Sequence, residues 1–309
     1  MLILIAGVTG GLGQRLATVA LSRGLSVRGL GRSPENLKPE LASQLESFVT
    51  STSYYDIPAL EQAVKGVDAI INAYAPNPIL DLDAHLLLLR AAERADVKIF
   101  IASSWSRDWT NIRFGDFEHY NNHIAFEHQV ANTSAIHPVY IMSGLFADLI
   151  YTVYGPGGFD TSGERPSMRY WGNEDTNSKW PWITQGDCAE YTIDVLLHGE
   201  GVQAGKGGIF KFRSGVATIA EFAEAYETVH GVKVDLVRKG DVADLEKELA
   251  AMRKAGGRTP GAFYGWMGEA AALLASKGLW ENTDVTLLKE FRKPTSLVEH
   301  FAAEKKLAA

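Results

Sequence analysis

The residues whose types and spacing specify chemistry most directly are the glycines of Gly7-Val8-Thr9-Gly10-Gly11-Leu12-Gly13. They follow the apolar run Leu2-Ile3-Leu4-Ile5 and precede an apolar stripe through Leu12, Leu16, Val19 and Ala20, so a buried strand runs into a glycine turn that opens a helix. In that context the turn reads as a dinucleotide fingerprint. Gly7 permits the tight turn, Gly10 lets backbone N–H groups approach a pyrophosphate, and Gly13 lets the helix pack closely on the strand. Thr9, Gly11 and Leu12 belong to the same cofactor-binding turn. The helix N-terminus adds free N–H donors and a partial positive charge.

The end of the second strand selects the cofactor. An NAD-specific site carries Asp or Glu there for the ribose 2′-OH, whereas this chain reads Leu30-Gly31-Arg32-Ser33. Arg32 can pair with a 2′-phosphate and stack on adenine, and Ser33 can donate a further hydrogen bond, so NADP(H) is the expected cofactor. Asp56 serves either the adenine amino group or the N-terminus of the next helix. Asn72-Ala73-Tyr74-Ala75-Pro76 closes the fourth strand at the edge where such sheets bind ligands, which places Ala73 and Tyr74 beside the ribose and pyrophosphate.

These residues need a scaffold, and the chain supplies its pattern. Strands are expected at Leu25–Leu30, Ser47–Thr50, Asp68–Asn72, Ile99–Ile101 and Val139–Met142. Helices are expected around Leu37–Leu45 and Ala59–Val64, and in a long segment with Leu82, Leu86, Leu89 and Ala92 on one face. Strands alternating with helices specify an α/β fold with a parallel sheet covered on both faces. The expected architecture is a Rossmann-type, doubly wound parallel sheet over residues 1–150, with a smaller α+β substrate lobe over 151–309 and some of its elements returning to the core. In that lobe, helices are expected near Ala189–Leu197, Ala220–Thr228 and Val242–Arg253, and strands near Ile209–Phe212 and Val232–Val237.

The 309 residues carry a net charge of −7 and a single cysteine, Cys188. Mild acidity without a basic run argues against a nucleic-acid partner. A lone cysteine forms no internal disulfide, so a reducing, cytoplasmic compartment is expected. The apolar runs are too short to cross a bilayer, so no membrane partner is expected.

The chain resembles the NmrA-like and isoflavone-reductase-like atypical short-chain dehydrogenases. The resemblance rests on the Gly-x-Thr-Gly-x-x-Gly turn, Arg32, Ile99-Phe100-Ile101-Ala102-Ser103-Ser104, Ser143-Gly144-Leu145-Phe146, Trp182 to Ala189, and Thr218-Ile219-Ala220-Glu221-Phe222. It implies NADPH binding on a Rossmann core with a second lobe for substrate. It also implies that Gly144 and Phe146 lie under the nicotinamide, with Ser103 and Ser104 beside it. The chain departs from the resemblance in one respect. It has no Tyr-x-x-x-Lys, and no lysine between Lys98 and Lys179. On the helix expected over Phe117–Glu127, His123, by its spacing to Glu127, takes the position of the isoflavone-reductase lysine, with His119 one turn earlier.

His123 is then either a general acid or a holder of the nicotinamide ribose, since imidazole exchanges protons near neutrality. Tyr120 and Ser103 are the other catalytic candidates. His119, His123 and Glu127 lack a zinc-binding pattern, so no metal is expected. Rings are dense beyond Tyr151. Trp105, Tyr154 and Trp171 are the expected contacts for a small aromatic ligand, though large rings also fill interiors. The leading expectation is an NADPH-dependent reductase of a small aromatic or polyketide-like molecule, acting on C=O or C=C. The alternatives are a non-catalytic NADP(H)-sensing regulator that binds a partner protein, and a redox-neutral isomerase, dehydratase or cyclase.

Overall fold

The computed structural model describes residues 1–76, 79–172, 178–257, 261–280 and 292–308. The chain folds into two compact units, each assembled from separate stretches. Met1–Trp105, Asn122–Met142 and Gln185–Phe210 form the first, and Ser106–Asn121, Ser143–Thr184 and Lys211–Ala309 form the second. In chain order the strands are β1 (Leu2–Ala6), β2 (Ser26–Gly31), β3 (Ser47–Thr50), β4 (Ala69–Asn72), β5 (Ile99–Ile101), β6 (Val139–Met142), β7 (Leu145–Phe146), β8 (Ser167–Tyr170), β9 (Trp180–Ile183), β10 (Gly208–Lys211), β11 (Gly215–Ala217) and β12 (Asp235–Arg238).

The first unit is built on a seven-stranded sheet in the order β10-β6-β5-β4-β1-β2-β3. The β1–β2, β1–β4, β2–β3, β4–β5 and β5–β6 pairs are all parallel. This is the Rossmann-type order, in which the chain reverses direction across the sheet at β1 and β4. Ile3, Leu4, Ile5, Ile70, Ile71, Phe100 and Ile101 are buried, as strands covered on both faces must be. The helices of this unit are α1 (Gly11–Ser22), α2 (Pro39–Ala42), α3 (Ile57–Ala63), α4 (Leu82–Arg94), α5 (Asn121–Thr133) and α6 (Gln185–His198).

Three local expectations need correction. The helix expected over Leu37–Leu45 is a 3-10 turn at Pro34–Asn36 followed by the short α2. Pro39 drives the residue before it out of the helical region, and Lys38 sits at ψ 134°. On α4 the buried residues are Ala84, His85, Leu88, Leu89, Ala91 and Ala92, while Leu82 and Leu86 are half-buried on the flank. Phe117 to Glu127 is not one helix: a 3-10 turn at Glu118–Tyr120 precedes α5, so His119 is not on the helix that carries His123 and Glu127.

The second unit holds a three-stranded sheet, β11-β9-β7, and a parallel pair, β12-β8. Its helices are α7 (Ile219–His230), α8 (Val242–Gly256), α9 (Met267–Ser276) and α10 (Leu297–Ala308). Thr218 and Glu221 form a reciprocal capping box at the start of α7. Among the described residues no helix is long and apolar enough to cross a membrane.

A row of rings runs through the first unit beneath the loop ends. Tyr54 and Tyr74 have centroids 4.5 Å apart, Tyr74 meets the edge of His85 at 5.7 Å, and His85 meets Phe126 at 6.1 Å. The His85 Nδ1 lies 2.7 Å from the Asp81 carbonyl and donates to it, and its buried Nε2 has no hydrogen-bond partner. Burial drives the imidazole pKa down from 6.5 to about 4, against the smaller opposing effect of Asp81. The proton therefore binds more readily to the unfolded chain: stability is full above pH 6.5 and is lost as pH falls toward about 4. Urea unfolding at pH 7 and pH 5 should show the wild type losing about 2 kcal/mol more than His85→Phe across that interval. Equal losses would contradict the buried, neutral imidazole.

Candidate functional site

In the first unit the glycine turn is shaped by two close backbone approaches. Gly7 has φ +81°, and a Cβ there would lie 2.6 Å from the Ala73 carbonyl oxygen. A Cβ on Gly13 would lie 2.3 Å from the Gly7 carbonyl oxygen and 2.8 Å from the Val8 Cα. Gly10 is the exposed N-cap of α1. No side chain caps this helix, and its first turn contains no acidic residue. The N-terminal amides and the positive end of the helix dipole are thus left for an external acceptor. Gln14 pins the turn from behind by donating to the Thr9 carbonyl at 3.2 Å. Leu12 is half-buried at the start of the helix. An uncapped helix start, a turn too tight for a Cβ, and an exposed cation at the end of the adjacent strand β2 suit a phosphate-bearing ligand.

That cation is Arg32. It is exposed beyond β2, with its guanidinium carbon 4.9 Å from the centre of the Tyr54 ring. One face of the guanidinium is thereby held while its edge stays in water. Ser33 begins the following 3-10 turn without using its side chain as a cap. Asp56 is the N-cap of α3. One carboxylate oxygen accepts from the Ala59 N–H at 3.2 Å, and the other accepts from Thr52 N–H and Oγ–H at 2.9 and 2.8 Å. These bonds hold its carboxyl below the usual range, with the Thr52 backbone bond the largest cause. The helix-capping alternative for Asp56 is thus the one its contacts show.

Ala73 is half-buried and donates its N–H to the Ala6 carbonyl at 2.8 Å, tying the end of β4 to the end of β1. Tyr74 is buried, and burial drives its phenol pKa upward. Ser103 Oγ donates to the Tyr74 carbonyl at 2.7 Å, and Ser104 Oγ accepts from the Ile141 N–H at 2.7 Å. His123 is buried on α5. Trp105 is half-buried, and its indole N–H donates to Thr192 Oγ at 2.9 Å.

The second unit carries the remaining expected residues. Tyr120 is buried, and its hydroxyl accepts from the Arg107 backbone N–H at 3.1 Å. Gly144 and Ser143 both donate backbone N–H groups to the Ser106 carbonyl, at 3.0 and 2.9 Å, and Phe146 is half-buried at the end of β7. Tyr154 is half exposed, with its ring 5.6 Å from that of Tyr264. Trp171 is buried and lines a recess with Tyr170, Trp180, Arg169 and Lys239. Asp148, His300 and Glu304 bring potential ligand atoms within 4.8 Å of one another, and His300 already faces Glu304 at 3.6 Å.

The sequence reading missed Arg107. It is buried, with its guanidinium carbon 4.4 Å from the Trp280 ring centre and 5.3 Å from that of Trp180. Burial lowers its pKa, with Tyr120 acting in the opposite direction. Two carboxylates near it in sequence are committed elsewhere. Asp108 pairs with Lys211 at 2.7 Å, and Glu118 holds Arg253 at 2.9 Å and the Trp266 indole at 3.1 Å. The one local signal was an arginine set between Trp105 and Trp109 just after a strand.

A model of the NmrA-like family matches residues 1–252. No curated protein matches the sequence. Similar solved structures include AtPrR2 with NADP+ and (+)pinoresinol (18% identity, TM-score 0.74, 97% of each chain covered). Leucoanthocyanidin reductase with NADPH from Vitis vinifera is another, at 18% identity and TM-score 0.73, covering 99% of this chain and 100% of that one. The NADPH-dependent quinone oxidoreductase QOR2 with NADPH from Escherichia coli matches at 19% identity and TM-score 0.72, covering 98% and 99%. At these identities the likeness establishes the fold.

The backbone contact at Gly13 is directly measurable. Gly13→Ala has no flexible neighbour to displace, so overpacking should cost about 1–3 kcal/mol. Thermal or urea unfolding reports it, and an unchanged midpoint would contradict the packing described.

Proposed function

Because the chain belongs to the NmrA-like family, we propose that its first unit binds NADP(H) and that the protein is an NADPH-dependent reductase of a small aromatic molecule. The observation that carries this reading is the uncapped start of α1 at the glycine turn, together with an exposed Arg32 and no carboxylate at the end of β2. The NADP+ or NADPH in three similar structures supports it. In this reading the amides of Gly11 and Leu12 hold the pyrophosphate, while the Gly10 amide closes the turn on the Gly7 carbonyl at 3.0 Å, and Ala73 and Tyr74 bound the same edge. Arg32 and Ser33 receive the 2′-phosphate. Arg32 is well placed for this, since its stacking on Tyr54 limits the side-chain freedom lost on binding.

When bound, NADPH supplies a hydride for a polarised C=O or C=C bond. The chain's own residues supply orientation and the proton. His123 or Tyr120 is the proton donor, and Ser103 fixes the loop at Tyr74 through its hydrogen bond. Trp105, Tyr154, Trp171, Gly144 and Phe146 are the proposed ligand and nicotinamide contacts. The missing Tyr-x-x-x-Lys favours one rival reading, an NADP(H)-binding regulator, which would bind the cofactor without turnover.

Calorimetric titration should give tighter binding of NADPH than of NADH. Arg32→Ala should weaken NADPH by about 10- to 100-fold while leaving NADH little changed. Equal affinities, or an indifferent Arg32→Ala, would overturn the cofactor assignment. With a panel of aromatic ketones and enones, NADPH oxidation should be seen, and His123→Ala should lower kcat by more than it weakens NADPH. Unchanged kcat would remove His123 from the reaction. NADPH binding with no oxidation across the panel would favour the regulator.

A further inference from the structure

Among the described residues, Arg107 is a buried cation without a counterion. Among the described residues no carboxylate lies within ion-pairing distance of its guanidinium, and its Nε has no hydrogen-bond partner. The Trp280 and Trp180 ring centres lie 4.4 and 5.3 Å from the guanidinium carbon on one side of it, and the Tyr120 hydroxyl accepts a side-chain hydrogen bond from it, but the Nε–H still lacks an acceptor among the described residues. The two flanking indoles share this deficit. The Nε1 atoms of Trp180 and Trp280 are buried with no partner, in rings whose centroids are 5.8 Å apart. Three buried donor atoms in one cluster therefore lack an acceptor, in an interior where such groups are normally paired.

The deficit defines the chemistry that would correct it. All three groups donate, so the missing group accepts. The site is positive, so the missing group is anionic. Two indole rings lie beside it, and paired N–H groups on a guanidinium edge match the two oxygens of a carboxylate. Trp180 also lines the recess that holds Trp171, Tyr170, Arg169 and Lys239, two further cations against one carboxylate, Glu269. That field draws anions toward the rings.

We propose that Arg107, flanked by Trp180 and Trp280, is a receptor in the second unit for the carboxylate of a planar aromatic acid. The inference rests on the reading that the protein acts on a small aromatic molecule, and it narrows that class to aromatic carboxylates. The unpaired Nε1–H groups of Trp180 and Trp280 supply further donors beside it, and Arg107 fixes the carboxylate and so the orientation of the ligand.

The test is equilibrium binding to the full chain, followed by tryptophan fluorescence, with benzoate, cinnamate and 2-naphthoate against their neutral amides at pH 7. At least one acid should bind saturably and at least about tenfold more tightly than its amide. Arg107→Met should erase that preference and Arg107→Lys should restore part of it, with the thermal midpoints of both variants reporting that they fold. The comparison of acid with amide in the wild type needs no variant. No saturable binding by any of the three acids, equal affinity for acid and amide, or an undiminished preference in a folded Arg107→Met would each overturn the proposal. Binding is read without turnover. A carboxylate preference with no NADPH oxidation would therefore count against the reductase reading alone, and oxidation driven by neutral aromatics with no carboxylate preference would count against this inference alone.

Discussion

The contact between α1 and the turn that precedes it sets the geometry on which the first unit depends. Gly13 packs so closely on the Gly7 carbonyl that no side chain fits between them, and Gly7 is held in turn against the backbone at Ala73. These approaches bring the ends of β1 and β4 together, at the place where the strand order reverses. They also fix the start of α1 with its amides uncapped. The parallel registers of β2 on β1 and of β3 on β2 then carry Arg32 and Tyr54 to the same edge of the sheet. Without two residues lacking a Cβ at these positions, the helix start would move off the edge that the rest of the unit is arranged to serve.

The two units use arginine in opposite ways. Arg32 lies on one ring and keeps its edge in water, so it bears little desolvation penalty before a ligand arrives. Arg107 is enclosed, with two indole rings beside it and, among the described residues, no acceptor at Nε. A desolvated cation–π contact contributes about 2 kcal/mol, whereas burying an ion costs several kcal/mol and each unpaired donor about 1–3 kcal/mol. Stacking therefore does not offset the cost of placing Arg107 where it is. Destabilising groups of this kind cluster where a protein binds something.

The parts of this molecule legible in its sequence are the local ones. The glycine turn, β3 at Ser47–Thr50 and the capped start of α7 at Thr218 are each specified within a few residues by backbone sterics, alternation or capping chemistry. Over Leu37–Leu45 the leucine spacing is overridden by Pro39, which dictates an extended conformation at Lys38. On α4 the leucines suggested the wrong face, since Ala84 and His85 are buried while Leu82 and Leu86 lie on the flank. Arg107 was illegible for a different reason. Its environment is made by Trp180 and Trp280, far away in the chain, and no local pattern encodes that meeting.

In the proposed function the glycine turn and Arg32 receive a dinucleotide bearing a 2′-phosphate. Phosphorus NMR of NADP+ bound to the wild-type protein tests both halves at once. The pyrophosphate and 2′-phosphate resonances should both shift on binding. The 2′-phosphate should stay dianionic well below the pH of about 6 at which such a group ordinarily takes up its second proton. A 2′-phosphate that titrates as it does in free NADP+, with only the pyrophosphate resonances displaced, would contradict this assignment.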